Sequence, residues 1–311
     1  MMFAQFFTGD YLIDFFYSII RMSTPLIYCA MGALISKQAG AINMALEGIM
    51  LTASLTAVIF SAMTHTVIFG LIGAVAGGMF ISFILAYMHL VKQSELVLTG
   101  IALNTMASGG TVYLLFLLTG EKGTSRLLNS LVVPKWNIPV LKDIPVLGQI
   151  LSGHNALTYL AYLFALLTYI LVFKSRTGLR IRAVGLNPDA AASVGINVNK
   201  IKFQAFLYSG LFASLGGAFM SMGYLSNFSR DMIAGRGFIG ISAANLADGQ
   251  VLGSLLASLG FGSAEAVSIT LATLNMQAEL VRMIPYLATV IGLVIMSAQK
   301  QAKARRRQGD F

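Results

Sequence analysis

The sequence predicts an all-α polytopic membrane protein, one transmembrane domain over residues 1–311 with about nine transmembrane helices and a range of eight to ten. Three observations carry this. With 57% hydrophobic and 11% charged residues and a mean hydropathy of +0.78, the chain holds more apolar side chain than a soluble core of 311 residues can hide, so lipid must be its solvent. Apolar windows close to the roughly 20 residues a span requires recur along the whole chain. Their runs are unbroken or 3.6-periodic rather than alternating ten-residue strands, which favours helices, whose backbone groups are satisfied within each segment, over an outer-membrane barrel.

The first window covers about 11–35. The first twenty residues contain no Lys or Arg, so no basic region of a cleavable secretory signal is visible and this span is expected to insert by itself. Cys29, the single cysteine, lies inside it and can form no internal disulfide. The second window, about 42–63, opens with GAINMALEG, placing Asn43 and Glu47 one helical turn apart. Windows at 67–90 and 96–119 follow, the latter carrying Asn104 as a lone amide in VLTGIALNTMASGG. That amide suits either a bond to a neighbouring helix, the preferred reading, or a polar passage for a neutral solute.

Residues 120–155 read as an excursion outside the bilayer. They hold three of the six prolines, Pro134, Pro139 and Pro145, and the only tryptophan, Trp136. Proline withholds a donor and fixes φ, so an ordered loop with a short interfacial helix is expected, either a docking surface or a lid. Windows at 156–173, 203–223, 251–271 and 283–298 complete the long spans, and 237–247 is a shorter ninth candidate. Small residues four apart mark helix contacts in three rows: Ala74, Gly78, Ser82 and Ala86; Ser209, Ala213, Gly217 and Ser221; Ser254, Ser258, Gly262 and Ala266.

The net charge of +9 is explained by topology rather than by nucleic acid. Six of the 21 basic residues (Lys174, Arg176, Arg180, Arg182, Lys200, Lys202) sit in a loop at about 174–202, and Lys300, Lys303, Arg305, Arg306 and Arg307 lie in a tail at 299–311. Short basic loops stay cytoplasmic. Both segments are therefore expected inside, with 120–155 and the N-terminus outside, although Lys122, Arg126, Lys135 and Lys142 obey the rule only in part.

Signatures of catalysis are weak. Gly235, Gly237 and Gly240 satisfy G-x-G-x-x-G without a preceding strand, there is no Gly-Lys dipeptide for a phosphate loop, and no HExxH or paired CxxC could hold zinc. No catalytic or metal-binding residue is assigned. His65, His89 and His154 fall at span ends or in the outer loop and read as interfacial. Ionisable groups inside spans carry more weight, because a charge at mid-bilayer is costly. Asn43 with Glu47, and Asn245 with Asp248, follow one pattern of Gly-rich entry, Asn, acid and Gly, and would enter from opposite sides as in an inverted repeat. For Asn43 and Glu47 a pathway role and a bond to a neighbouring helix end stay equally open. For Asp248 and for Glu265 the structural reading is preferred.

The basic loop contains a legible helix. Asn187 is an N-cap, Pro188 suits the first helical position, Asp189 complements the positive helix start and Gly195 supplies the stop, giving about two turns from Pro188 to Val194. Ala190, Ala191, Ala192 and Val194 would form a small apolar exposed face that wants a groove on another protein.

AVGLNPDAAASVGINVNKIK, then GRGFIGISA and LGSLLASLGFGSAEA, resemble the ATP-binding-cassette (ABC) importer permeases of the branched-chain amino acid, ribose and nucleoside group over nearly the whole chain. ISKQAGAINMALEGIM and VLTGIALNTMASG look most like the nucleoside branch; LADGQVLGS departs from the Gly-Gly, often with Pro, of many relatives. The resemblance implies an importer permease fold in a bacterial cytoplasmic membrane, with no cofactor on this chain and ATP and Mg on a partner ATPase. It implies a second, different permease subunit and an extracytoplasmic solute-binding lipoprotein. Arg180, Arg182, Gly185, Asn187, Pro188, Asp189, Ala190, Ala191, Val194 and Gly195 would couple to the ATPase. Asn43, Glu47, Asn104, Phe238 and Asn245 are the candidates for the solute pathway. Ribose, another sugar, branched-chain amino acids, or ion-driven transport are the alternatives.

Overall fold

A computed structural model describes residues 9–137, 147–272, 283–292, 294 and 298. In chain order the helices are α1 (Gly9–Gln38), α2 (Leu46–Thr64), α3 (Val67–Leu90), α4 (Leu96–Thr119), the short α5 (Leu147–Leu151), α6 (Ala156–Tyr169), α7 (Arg176–Leu186), α8 (Pro188–Ser193), α9 (Val198–Phe219), α10 (Arg236–Leu246), α11 (Val251–Ala272) and α12 (Met283–Gly292). Single π-helical turns, Ile170–Lys174 and Met220–Tyr224, extend α6 and α9.

Among the described residues seven helices are long and apolar enough to cross a membrane, fewer than the nine expected. Of the 283–298 window, α12 and residues 294 and 298 are described. The 237–247 candidate is α10, whose 11 residues span roughly 16 Å at 1.5 Å per residue, about half of a hydrocarbon core. Its crossing is completed by the non-helical stretch 225–235. That stretch starts at the 120–137 loop, where the Ser125 N–H donates to Phe228 O and the Arg230 N–H to Gly123 O, both at 2.9 Å. α10 then descends beside α1: the Cys29 thiol donates to Gly237 O, Lys37 Nζ to Ala244 O, and Gln38 Nε2 to Gly249 O at 2.8 Å.

These contacts define two ends of the bundle. The start of α1 packs at the loop end, where the Tyr17 hydroxyl donates to Gly153 O and the Tyr17 ring stacks on His154 at 4.0 Å. Gln38 lies at the other, basic end against Gly185. α1 and α9 form the buried centre, while α3, α4, α6 and α11 keep large apolar faces exposed as a lipid-facing shell would.

The rows of small residues are helix contacts as expected. The Ser82 hydroxyl donates to Phe206 O at 2.6 Å between α3 and α9, and the Ser54 hydroxyl to Gly217 O at 2.7 Å between α2 and α9. A Cβ on Gly217 would overlap the Met50 carbonyl oxygen, and one on Gly262 would overlap Ser23. Such close backbone approach is what small residues supply in lipid.

The outer loop contains a short helix, α5, though Pro139, Lys142, Asp143 and Pro145 lie outside the described residues, as does the 299–311 tail. His154 departs from the interfacial expectation by being buried. Its Nε2–H donates to Ile150 O at 2.8 Å, and that carbonyl partner fixes which nitrogen carries the proton. Burial pushes its pKa below the ordinary 6.5, opposed by the Ile150 bond and reinforced by the Arg21 and Lys135 cations.

Candidate functional site

Two broken segments meet inside the bundle. The first is the link from α1 to α2. The Asn43 N–H donates to Ser36 Oγ at 3.0 Å, its Oδ1 accepts from the Ala45 N–H at 3.0 Å, and its Nδ2 donates to Ser209 Oγ at 3.1 Å. Asn104 clamps the same entry from α4: its Oδ1 accepts from the Gly48 N–H at 2.8 Å and its Nδ2 donates to Met44 O at 2.9 Å. Both amides are therefore spent on backbone and helix contacts, the interhelical reading preferred for Asn104.

The second segment is 225–235 leading into α10. Glu47 joins the two: Oε1 accepts from the Gly235 N–H at 2.8 Å and Oε2 from the Gly237 N–H at 2.7 Å. A carboxylate on the free N–H groups of a helix start is favoured by both hydrogen bonding and the helix dipole. Glycine is required here. Gly235 has φ +80°, and a Cβ on Gly237 would collide with Glu47 itself. The G-x-G-x-x-G match thus serves a carboxylate rather than a dinucleotide.

Arg236, which sequence reasoning did not single out, pairs with Glu265 across α10 and α11, both side chains being little exposed. Its Nη1 also donates to Met232 O and Ile233 O at 3.2 and 3.0 Å. The Tyr286 hydroxyl donates to Ala234 O at 2.8 Å. The signal available in the sequence was the trio Arg230, Asp231 and Arg236 flanked on both sides by spans. Glu265 pairs with a helix start, as the structural reading had it.

Phe238 on α10 is exposed and Asn245 partly so. Asp248 lies beyond the end of α10, whereas Glu47 sits at the start of α2, so the two Asn–acid pairs expected to match do not occupy equivalent places. Their common spacing reflects two different helix boundaries. Among the described residues no group of three or more His, Cys, Asp or Glu could hold a metal ion.

At the basic end α8 forms as its sequence predicts. Asn187 Oδ1 accepts from the N–H groups of Asp189 and Ala190 at 3.1 and 3.0 Å, Pro188 opens the helix, and Gly195 stops it at φ +82°. Ala190, Ala192 and Val194 are exposed, but Ala191 is only 4% exposed and faces the bundle. Ala191 is the one residue of α8 turned inward against the bundle, which corrects the four-residue face. Leu186, just before the cap, and Val194 are the large apolar residues exposed here, at 87% and 74%.

α7 carries α8 and packs through Gly178, Ile181 and Val184. Arg182 lies over the Phe173 ring at 5.2 Å, Arg180 is exposed, and Gly185 rests directly on the backbone of Gln38 and Gly40.

The model of the family described as branched-chain amino acid transport system / permease component matches residues 15–296. The nucleoside ABC transporter permease protein NupC of Lactococcus lactis is 33% identical over 88% of this chain and 89% of its own length. The guanosine ABC transporter permease protein NupQ of Bacillus subtilis is 33% identical over 87% of this chain and 88% of its own. Among solved structures, PsaBC from Streptococcus pneumoniae in complex with Fab shares the fold, with a TM-score of 0.53 at 13% identity over 93% of this chain and 94% of that one.

Proposed function

Since the chain belongs to the branched-chain amino acid transport system / permease component family, we propose that it is the membrane-spanning subunit of an ABC importer for nucleosides. The observation that carries this is the match itself, which runs through the spans, the Glu47 junction and α8 alike. In this reading the chain supplies half of the solute pathway and a partner ATPase supplies ATP, Mg and the chemistry. An extracytoplasmic binding protein delivers solute, and a second permease subunit completes the pathway in the bacterial inner membrane.

The structure supports the mechanical part. Leu186, Ala190, Ala192 and Val194 are apolar and exposed at the basic end, on and beside α8, where a groove on the ATPase would cover them. Closure of the ATPase pair would move α8, and the bundle would rock about the junction at Glu47. Nucleosides are neutral, which agrees with a bundle whose described intramembrane charges are mostly paired with one another or with backbone.

Reconstitution with the partner ATPase, second permease and binding protein tests the reading. Labelled nucleoside should accumulate in proteoliposomes only with ATP, and solute should stimulate hydrolysis. Uptake driven by an ion gradient without ATP would assign the chain to secondary transport, and uptake of ribose or leucine in place of nucleosides would move it to another branch.

A further inference from the structure

Arg230 and Asp231 sit oddly for a lipid-facing surface. They pair with each other at 3.3 Å, with 67% and 52% of their side chains exposed, and Asp231 Oδ1 also accepts from the Ser108 hydroxyl at 2.7 Å. Ser108 lies near the middle of the 24-residue α4, roughly 17 Å from either end at 1.5 Å per residue. Arg230 is also tied to the outer loop, its N–H donating to Gly123 O, so Asp231 lies where that loop dips toward the middle of α4; a half-exposed carboxylate there faces a water-filled cavity or the bundle interior rather than hydrocarbon.

The backbone points the same way. Residues 225–235 are non-helical, with Asp231 and Ala234 in the left-handed region at φ 51° and 49°, and irregular backbone at membrane depth is tolerated only where protein buries it or where it lines an aqueous cavity. Asp231 and Ala234 are exposed, so burial within this chain does not account for them. The adjoining wall of α4 is bare, for a Cβ on Gly109 or Gly110 would meet nothing within 4 Å. An ionised carboxylate offers about four lone-pair sites, of which Ser108 and Arg230 take two.

We propose that Asp231, oriented by Ser108, is a solute-binding residue on the wall of the pathway, its remaining acceptor sites taking the vicinal hydroxyls of a nucleoside's ribose. This rests on the importer reading above and names where in this chain the solute is held. Ser108 is a positioning residue: it fixes one carboxylate oxygen and leaves the other side of the group toward the passage.

The test uses the assembled transporter. In a Cys29→Ala background, Ser108→Cys should be modified by a membrane-impermeant cationic methanethiosulfonate, and ribonucleoside should slow that modification. Asp231→Asn, which keeps an acceptor for Ser108, should raise the KM for ribonucleosides by about tenfold while leaving 2′,3′-dideoxynucleosides unchanged, as loss of a charged hydrogen bond predicts. A thiol at position 108 that a lipid-soluble maleimide modifies and the charged reagent never reaches would overturn the proposal, as would equal KM changes for both nucleoside types. Protection by a sugar or a branched-chain amino acid instead would overturn the nucleoside reading and leave the wall assignment standing.

Discussion

Glu47 is the residue on which the two broken segments depend. Its two oxygens each hold one N–H at the start of α10, and no other acceptor is described for those donors. Glu47→Ala should therefore cost about 1 to 3 kcal/mol, the range for leaving buried donors unpaired. Glu47→Gln, which keeps one acceptor, should fall between it and wild type in thermal melting of the detergent-solubilised chain; equal melting temperatures for all three would show that the junction does not stabilise the fold. The sequence marked Glu47 as an unusual charge but could not name its partner, because Gly235 lies 188 residues away and a backbone N–H leaves no trace in composition. Asn187 was legible for the opposite reason: its cap is satisfied two and three residues on.

At the scale of elements, backbone proximity decides more than side-chain chemistry. Gly217 lets α9 lie on the carbonyl of Met50 in α2, so Gly217→Ala should force the helices apart at a cost of about 1 to 3 kcal/mol, read as a lower melting temperature; no shift would mean the two helices slide freely. On α8 the two faces should separate in experiment. Ala190→Arg places charge on the exposed face and should abolish solute-stimulated ATP hydrolysis with melting unchanged, whereas Ala191→Arg, on the buried face, should destabilise the chain itself. Reversed outcomes would relocate the docking surface. Helix periodicity gave the span bounds closely, from Val67–Leu90 to Leu96–Thr119, since lipid imposes both length and polarity. It misjudged 237–247 because an apolar run with glycines reads alike whether it is half a crossing or a whole one.

For the whole molecule, the two ends found in the contacts agree in relative terms with the charge-based topology: the start of α1 shares an end with the 120–137 loop, and α7 and α8 share the other with Gln38. For absolute sidedness we propose that the basic loop faces the cytosol, as the charge rule would have it. In a Cys29→Ser background, Val194→Cys should react with an impermeant thiol reagent only from the cytosolic face, and Trp136→Cys only from outside. Labelling of both from one side would invalidate the arrangement. Overall architecture was legible because composition and span length act along the whole chain; the crossing at 225–246 was not, because it is made of an extended piece and a half-helix that only three-dimensional contacts join.

The seat of Gly185 on Gln38 and Gly40 has a mechanical meaning. Main chain rests there on main chain, so no rotamer can yield and take up play when α7 is displaced. Gln38 in turn grips Gly249, just past the far end of the half-helix whose near end Glu47 holds. A stroke delivered at Pro188 would reach the centre of the bilayer with little lost motion, and any side chain at position 185 would collide with the Gln38 carbonyl and prise that bearing apart.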